Sequence, residues 1–210
     1  MSQLQSIAEA VISGKSPEVQ RLIKEALEAG TKPVKIINDG LIAGMQVIAD
    51  RFKRNEIYVP EVLIAARAMN AGLTIVKPLI SDTDMKPIAK VIIGTVKGDL
   101  HDIGKKLVAM MLEGAGFEVI DLGIDVSPEK FIEAVKENHP QIMAMSALLT
   151  TTMPAMAESI KLLEESGLRN QVKVIIGGAP ITDAYAQKIG ADGYSPDAGS
   201  AVDLAKSLVS

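Results

Sequence analysis

The 210-residue chain contains no cysteine and no tryptophan, and its only histidines are His101 and His139. The missing thiols exclude a disulfide framework, a thiolate zinc site, a cysteine-ligated iron–sulfur cluster and a cysteine nucleophile. Two imidazoles cannot furnish a histidine-rich metal site. Aromatic residues make up 3% of the sequence, so it lacks the stacking platform that single-stranded nucleic acid needs. Net charge is −4 with no dense run of Lys and Arg, which argues against DNA and membrane-surface partners. No stretch approaches about 18 uninterrupted apolar residues, and the opening MSQLQSIAEA has no basic segment leading into an apolar one. A cytoplasmic protein that works on small molecules or other proteins is expected, without nucleic-acid or membrane partners.

What the chain does have is 48% hydrophobic residues, mostly aliphatic, with ten methionines, enough for a real core. Its length allows two modest domains. Residues 1 to about 80 carry only helical periodicity, as in Leu4, Ile7, Ala8, Val11 and again in Val34, Ile37, Leu41, Met45, Ile48. Ser16-Pro17-Glu18 reads as a helix start with a capping hydroxyl, Gly30 as its stop, and Pro60-Glu61 as the opening of a fourth helix. Four antiparallel helices in a small bundle are predicted over residues 1–85, with Phe52, Tyr58, Val59 and Met69 in its core. The polar segment 81–87 reads as a linker and hinge.

From residue 88 to 210 the pattern changes. Val91–Val96 is a β-branched run suited to a strand buried on both faces. A helix from about Asp102 to Ala115 follows. Further strand-like runs are Phe117–Leu122, Gln141–Ser146, Val172–Ile176 and, more weakly, Asp192–Tyr194. Five strands alternating with helices predict a flavodoxin-like, Rossmann-like α/β domain with a five-stranded parallel sheet, whose ligands sit at the C-terminal strand ends.

Three segments fall on that rim: Gly98-Asp99-Leu100-His101-Asp102-Ile103-Gly104, then Ser146 to Thr152, then Gly177-Gly178-Ala179-Pro180. A loop histidine can present one ring nitrogen while a carboxylate two residues earlier holds the other. Asp99 and His101 fit those roles, and Ser146 could fix the carboxylate. Gly177 and Gly178 remove bulk where a large group must approach the backbone. Each feature also has an ordinary reading: an Asp–His pair at a helix start, a strand-ending serine, a tight glycine turn or phosphate loop, and a helix cap at Thr150–Thr152. His139 reads as a solvated loop residue.

Taken together, Asp99-x-His101-x-x-Gly104, Ser146-x-Leu148 and Gly177-Gly178 resemble the signature of the cobalamin-binding domain family. The preceding Arg51-Phe52-Lys53 and Tyr58-Val59-Pro60-Glu61-Val62 resemble the helical cap module found with that domain in methionine synthase and in corrinoid methyl-carrier subunits. The resemblance covers nearly the whole chain. It implies a corrinoid bound base-off, with His101 as lower ligand to cobalt and the nucleotide tail in a slot between the first and fourth strands. Asp99 and Ser146 would manage the proton of His101. By the same resemblance Gly98, Leu100, Asp102, Ile103, Gly104, Ser146, Leu148, Thr150, Thr152, Gly177, Gly178 and Tyr194 contact the cofactor, and residues 1–85 cap its reactive face.

The function implied is that of a methyl carrier, accepting a methyl group at Co(I) and delivering it from methyl-Co(III). Its partners would be a substrate-specific methyltransferase, an acceptor methyltransferase and a reductive activase. Methanol, methylamines or methoxylated aromatics would supply the methyl group, and tetrahydrofolate or a coenzyme thiol would receive it. An adenosylcobalamin mutase subunit, a cobalamin-dependent regulator and a flavodoxin-like phosphate binder are the competing readings.

Overall fold

The computed structural model describes residues 2–80 and 86–210. Most of the expected linker, residues 81–85, lies outside the described residues. The chain divides into two compact units, one of residues 1–87 with 114–116, the other of residues 88–113 with 117–210.

The first unit is helical: α1 (Gln3–Ile12), α2 (Ser16–Glu28), α3 (Pro33–Ile36), α4 (Ala43–Lys53) and α5 (Val59–Val76). A π-helical segment, Ile37–Ile42, joins α3 to α4 without a break, so these elements form one long rod with a widened middle. Four rods result. Ile7, Val11, Val19, Ile23, Leu41, Met45, Ile48, Val62 and Met69 form the buried interior. Gly72 lets helices meet closely, since a Cβ there would lie 2.8 Å from Ile23 Cδ1 and 2.9 Å from Leu41 Cδ2.

Two local readings change. Helix α2 is capped by Lys15 without a side-chain hydrogen bond; Ser16 already lies inside the helix, one residue earlier than its sequence suggests. Tyr58 is exposed rather than core, because it stands before the first turn of α5 as its N-cap. The stretch Val59–Leu79 meets the length and composition of a membrane span, a test that bundle-core helices also pass, and seven of the residues in α5 are buried.

The second unit alternates strands and helices: β1 (Lys90–Thr95), α6 (Ile103–Gly114), β2 (Glu118–Asp121), α7 (Pro128–Asn138), β3 (Ile142–Ser146), α8 (Pro154–Glu165), β4 (Lys173–Gly177), α9 (Asp183–Ile189), β5 (Gly193–Tyr194) and α10 (Ala198–Val209). All neighbouring strands are parallel, in the order β2-β1-β3-β4-β5. The order reverses direction between β1 and β3, which makes their C-terminal ends the switch point where such sheets bind ligands. Register places Thr95, Ser146 and Gly177 in one row across β1, β3 and β4, so the loops that follow leave the sheet side by side. β3 lies between β1 and β4, so the C-terminal ends of those two strands flank the end of β3.

Candidate functional site

The loop after β1 alternates between water and core. Gly98 and Leu100 are exposed, while Asp99 between them is fully buried. A buried carboxylate needs partners for both oxygens, and Asp99 has them. Its Oδ1 accepts the His101 N–H at 3.1 Å and faces His101 Nδ1 at 2.7 Å. Its Oδ2 accepts the Leu148 N–H at 2.7 Å, the Leu149 N–H at 3.3 Å and the Thr152 hydroxyl at 2.8 Å. Burial alone would push this carboxyl up, but the Leu148 and His101 amides, the His101 ring and Thr152 outweigh it and hold it well below the usual carboxylate range.

An ionised carboxylate only accepts, so Nδ1 must carry a ring proton, and in the neutral imidazole Nε2 is then the nitrogen with the free lone pair. The His101 side chain is 51% exposed. Thr95 Oγ1, buried at the end of β1, donates to the His101 carbonyl at 2.9 Å. The imidazole is therefore fixed at one end and open at the other. Around it Leu100, Ile103, Leu148 and Leu149 are large apolar residues left exposed.

The hydroxyl that secures Asp99 belongs to Thr152, not to Ser146 as the sequence reading had it. Ser146 ends β3 half-buried, and its hydroxyl is not among the donors to Asp99 in the described residues. The loop after β3 folds over, which carries Thr152 back to the carboxylate. Replacing Thr152 by Val should cost about 1–2 kcal/mol, because the Oδ2 loses a buried charge-assisted donor, whereas Ser146→Ala should stay within about 0.5 kcal/mol. Urea unfolding of both variants measures this; equal losses would return Ser146 to the network.

Other expected site residues sort by position. Gly178 has φ +128°, and a Cβ there would stand 1.8 Å from the Ala147 carbonyl oxygen, so the ends of β3 and β4 touch where only glycine fits. Gly177 is looser, its Cβ meeting the Ser195 carbonyl oxygen at 3.2 Å. Thr150 is exposed on the loop after β3. Asp102 turns to Lys106 at 2.5 Å on the face of α6, and that ammonium holds its carboxyl below the usual range. Tyr194 pairs opposite Ile176 on β5 and packs against the buried core. His139 is exposed and ends α7 in a left-handed conformation.

Sequence reasoning passed over Thr95, Leu149 and Asp125. Only Asp125 left a faint signal, a polar residue two positions after Gly123 in the loop beyond the second strand run. Among the described residues no cluster of three or more His, Asp or Glu can hold a metal ion. At the opposite strand ends lies a cleft of about 550 Å³ lined by residues that include Gln141, Arg169, Lys173 and Asp192. Arg169 there is committed to the Gly190 carbonyl at 2.7 Å and to Asp192 at 2.8 Å.

Residues 89–203 match a family model described as "B12 binding domain", and residues 3–77 match a second model of the same description. The chain is 44% identical to dimethylamine corrinoid protein 1 of Methanosarcina mazei over 207 residues, 98% of this chain and 95% of that one. It is 47% identical to trimethylamine corrinoid protein 2 of Methanosarcina acetivorans over 192 residues, 90% of this chain and 88% of that one. A chain of the methanol:cobalamin methyltransferase complex MtaBC from Methanosarcina barkeri superimposes with a TM-score of 0.90 at 31% identity, covering 99% of this chain and 79% of that chain.

Proposed function

This chain belongs to the B12-binding domain family, and we propose that it is a corrinoid-binding methyl carrier whose His101 is the lower ligand to cobalt, with the corrinoid held base-off. The observation that carries the reading is the state of His101: Nδ1–H is committed to a buried carboxylate and Nε2 is left as an open donor on an apolar rim. A single imidazole nitrogen of this kind would suit a metal whose remaining ligands belong to its own cofactor, as in a corrinoid. A bound corrinoid would supply the methyl-transfer chemistry.

The chain's own residues manage position and protons. Asp99 selects the tautomer and orients the ring, and Thr152 with the Leu148 and Leu149 amides keeps Asp99 ionised and still. Leu100, Ile103, Leu148 and Leu149 offer apolar surface to the macrocycle, and the ends of β1, β3 and β4 border the path of the nucleotide tail. Residues 1–85 serve as the helical cap and residues 88–210 as the corrinoid-binding domain. Donor and acceptor methyltransferases and a reductive activase act as separate cytoplasmic partners, and a methylated amine is the methyl source, in line with the names of the relatives.

Gly104 provides the test. It lies in the first turn of α6 without positive φ, and a Cβ there would meet nothing within 4 Å. The fold has no use for glycine at this point, where alanine favours helix by up to about 1 kcal/mol. Something outside the chain wants the space. Gly104→Leu should therefore keep or raise thermal stability while lowering corrinoid affinity by at least about tenfold, the scale of a lost or obstructed contact worth ~1.4 kcal/mol. Titration of the full chain with cobalamin, read by its visible spectrum, checks this. Parent-like affinity would remove the signature loop from the binding surface, and failure of the parent to take up corrinoid would remove the function.

A further inference from the structure

Asp125 sits in the loop between β2 and α7 with φ +51°, a left-handed conformation that side chains other than glycine, Asn and Asp rarely adopt. Its backbone and side chain both turn toward the loop that presents His101. Asp125 Oδ1 accepts the Gly98 N–H at 2.7 Å, and the Asp125 N–H donates to the Asp99 carbonyl at 3.1 Å. On either side of it the Thr95 N–H donates to the Gly123 carbonyl at 3.0 Å and the Val126 N–H to the Thr95 carbonyl at 2.9 Å. The main chain before and after the Asp99 Cα is thus pinned from the β2 side, while the Asp99 side chain is pinned from the β3 side by Leu148, Leu149 and Thr152.

We infer that Asp125 is a positioning residue for His101: by fixing the Gly98–Asp99 backbone it sets where the Asp99 carboxylate, and through it the imidazole, points. The inference rests on the reading of His101 as the cobalt ligand, but its geometry does not. Asp125 and Gly98 are both exposed, so water can replace their hydrogen bond and global stability has little stake in it. Orientation has a large one, since water supplies no fixed direction.

Three variants separate the parts. Asp125→Asn keeps the acceptor and tolerates the left-handed backbone, Asp125→Gly keeps only the backbone, and Asp125→Ala keeps neither. With only two histidines in the chain, long-range ¹H–¹⁵N spectra resolve the His101 ring and report its Nδ1–H fraction in the full chain without corrinoid. Asp125→Asn should resemble the parent. Asp125→Gly should shift His101 toward the tautomer mixture of a free imidazole and speed exchange of its amide on the order of tenfold, with a thermal midpoint within about 4 °C of the parent. In chain loaded with cob(II)alamin, the same variant should weaken or broaden the axial-nitrogen splitting, and Asn should restore it. Unchanged ring and amide signals in Asp125→Gly, or their loss in Asp125→Asn as complete as in Ala, would overturn the inference. A normal ring response in the absence of nitrogen splitting from the parent would instead sink the cobalt-ligand reading and leave the positioning role standing.

Discussion

Replacing His101 by Ala is expected to remove axial nitrogen from cobalt completely while the chain still folds and still takes up corrinoid. The imidazole is half exposed and packs no core, so its loss leaves the sheet intact. What it leaves behind is Asp99 without the ring at Oδ1, but still bonded by the amide of residue 101 and by Leu148, Leu149 and Thr152. Electron paramagnetic resonance of the Co(II) form reads the ligand directly, because a ¹⁴N nucleus splits each cobalt line into a triplet and water does not. The control is His139→Asn rather than Ala, since His139 closes α7 at φ +46°, where Asn carries less strain than Ala. A triplet that survives in the His101 variant, or that never appears in the parent, would show that another group occupies the axial position.

The pair at the centre of this prediction was legible in the sequence because it is local: Asp99 and His101 stand two residues apart at the end of a strand that its β-branched run announces. The alternation of strands and helices was legible for the same reason, since period and punctuation are written in adjacent residues. Thr152 was not. Its bond to Asp99 spans 53 residues, and only the row Thr95–Ser146–Gly177 together with the fold-back of the loop after β3 brings it there; by sequence Ser146 was the nearer strand-end hydroxyl. Asp125 was half hidden: its place after Gly123 hints at a loop turn, but its role depends on a left-handed backbone and on Gly98, 27 residues away, which local sequence does not show. In the bundle, the π-helical turn at Ile37–Ile42 left the hydrophobic period readable but shifted its phase, which spacing alone could not reveal. Helix starts moved by a residue, as at Ser16, where a plausible capping hydroxyl competed with a helix that begins earlier.

Asp99→Asn is expected to be the most destabilising conservative change in the α/β unit. The carboxylate accepts from the His101 amide and ring on one oxygen and from the Leu148 and Leu149 amides and the Thr152 hydroxyl on the other. An amide has one acceptor and one donor end. If its oxygen faces Leu148, its NH₂ confronts the His101 N–H and forces Nδ1 to become an acceptor, which moves the ring proton to Nε2 and blocks the ligand atom. If its oxygen faces His101, the NH₂ confronts the Leu148 N–H instead. Either orientation orphans a buried donor, at about 1–3 kcal/mol each, with the charge assistance lost besides, so a loss of about 2–4 kcal/mol at pH 7 follows. At roughly 2–4 °C per kcal/mol for a chain of this size, the midpoint should fall by about 5–15 °C.

The loss must also depend on pH. The folded Asp99 carboxyl is held below its ordinary value of 3.8, so its contribution is complete above that value and disappears as pH falls from there toward the depressed folded value, where the unfolded chain binds the proton first. The stability difference between parent and Asp99→Asn should therefore be constant from pH 7 to about 5 and shrink below about pH 4. Amide exchange in β1 and β3 is the proper measure, because the two units need not unfold together and a global probe would mix them. A difference that stays constant to pH 2, or an Asn variant as stable as the parent at neutral pH, would mean that the Asp99 hydrogen bonds do not act as a charged anchor, and the fixed tautomer of His101 would lose its cause.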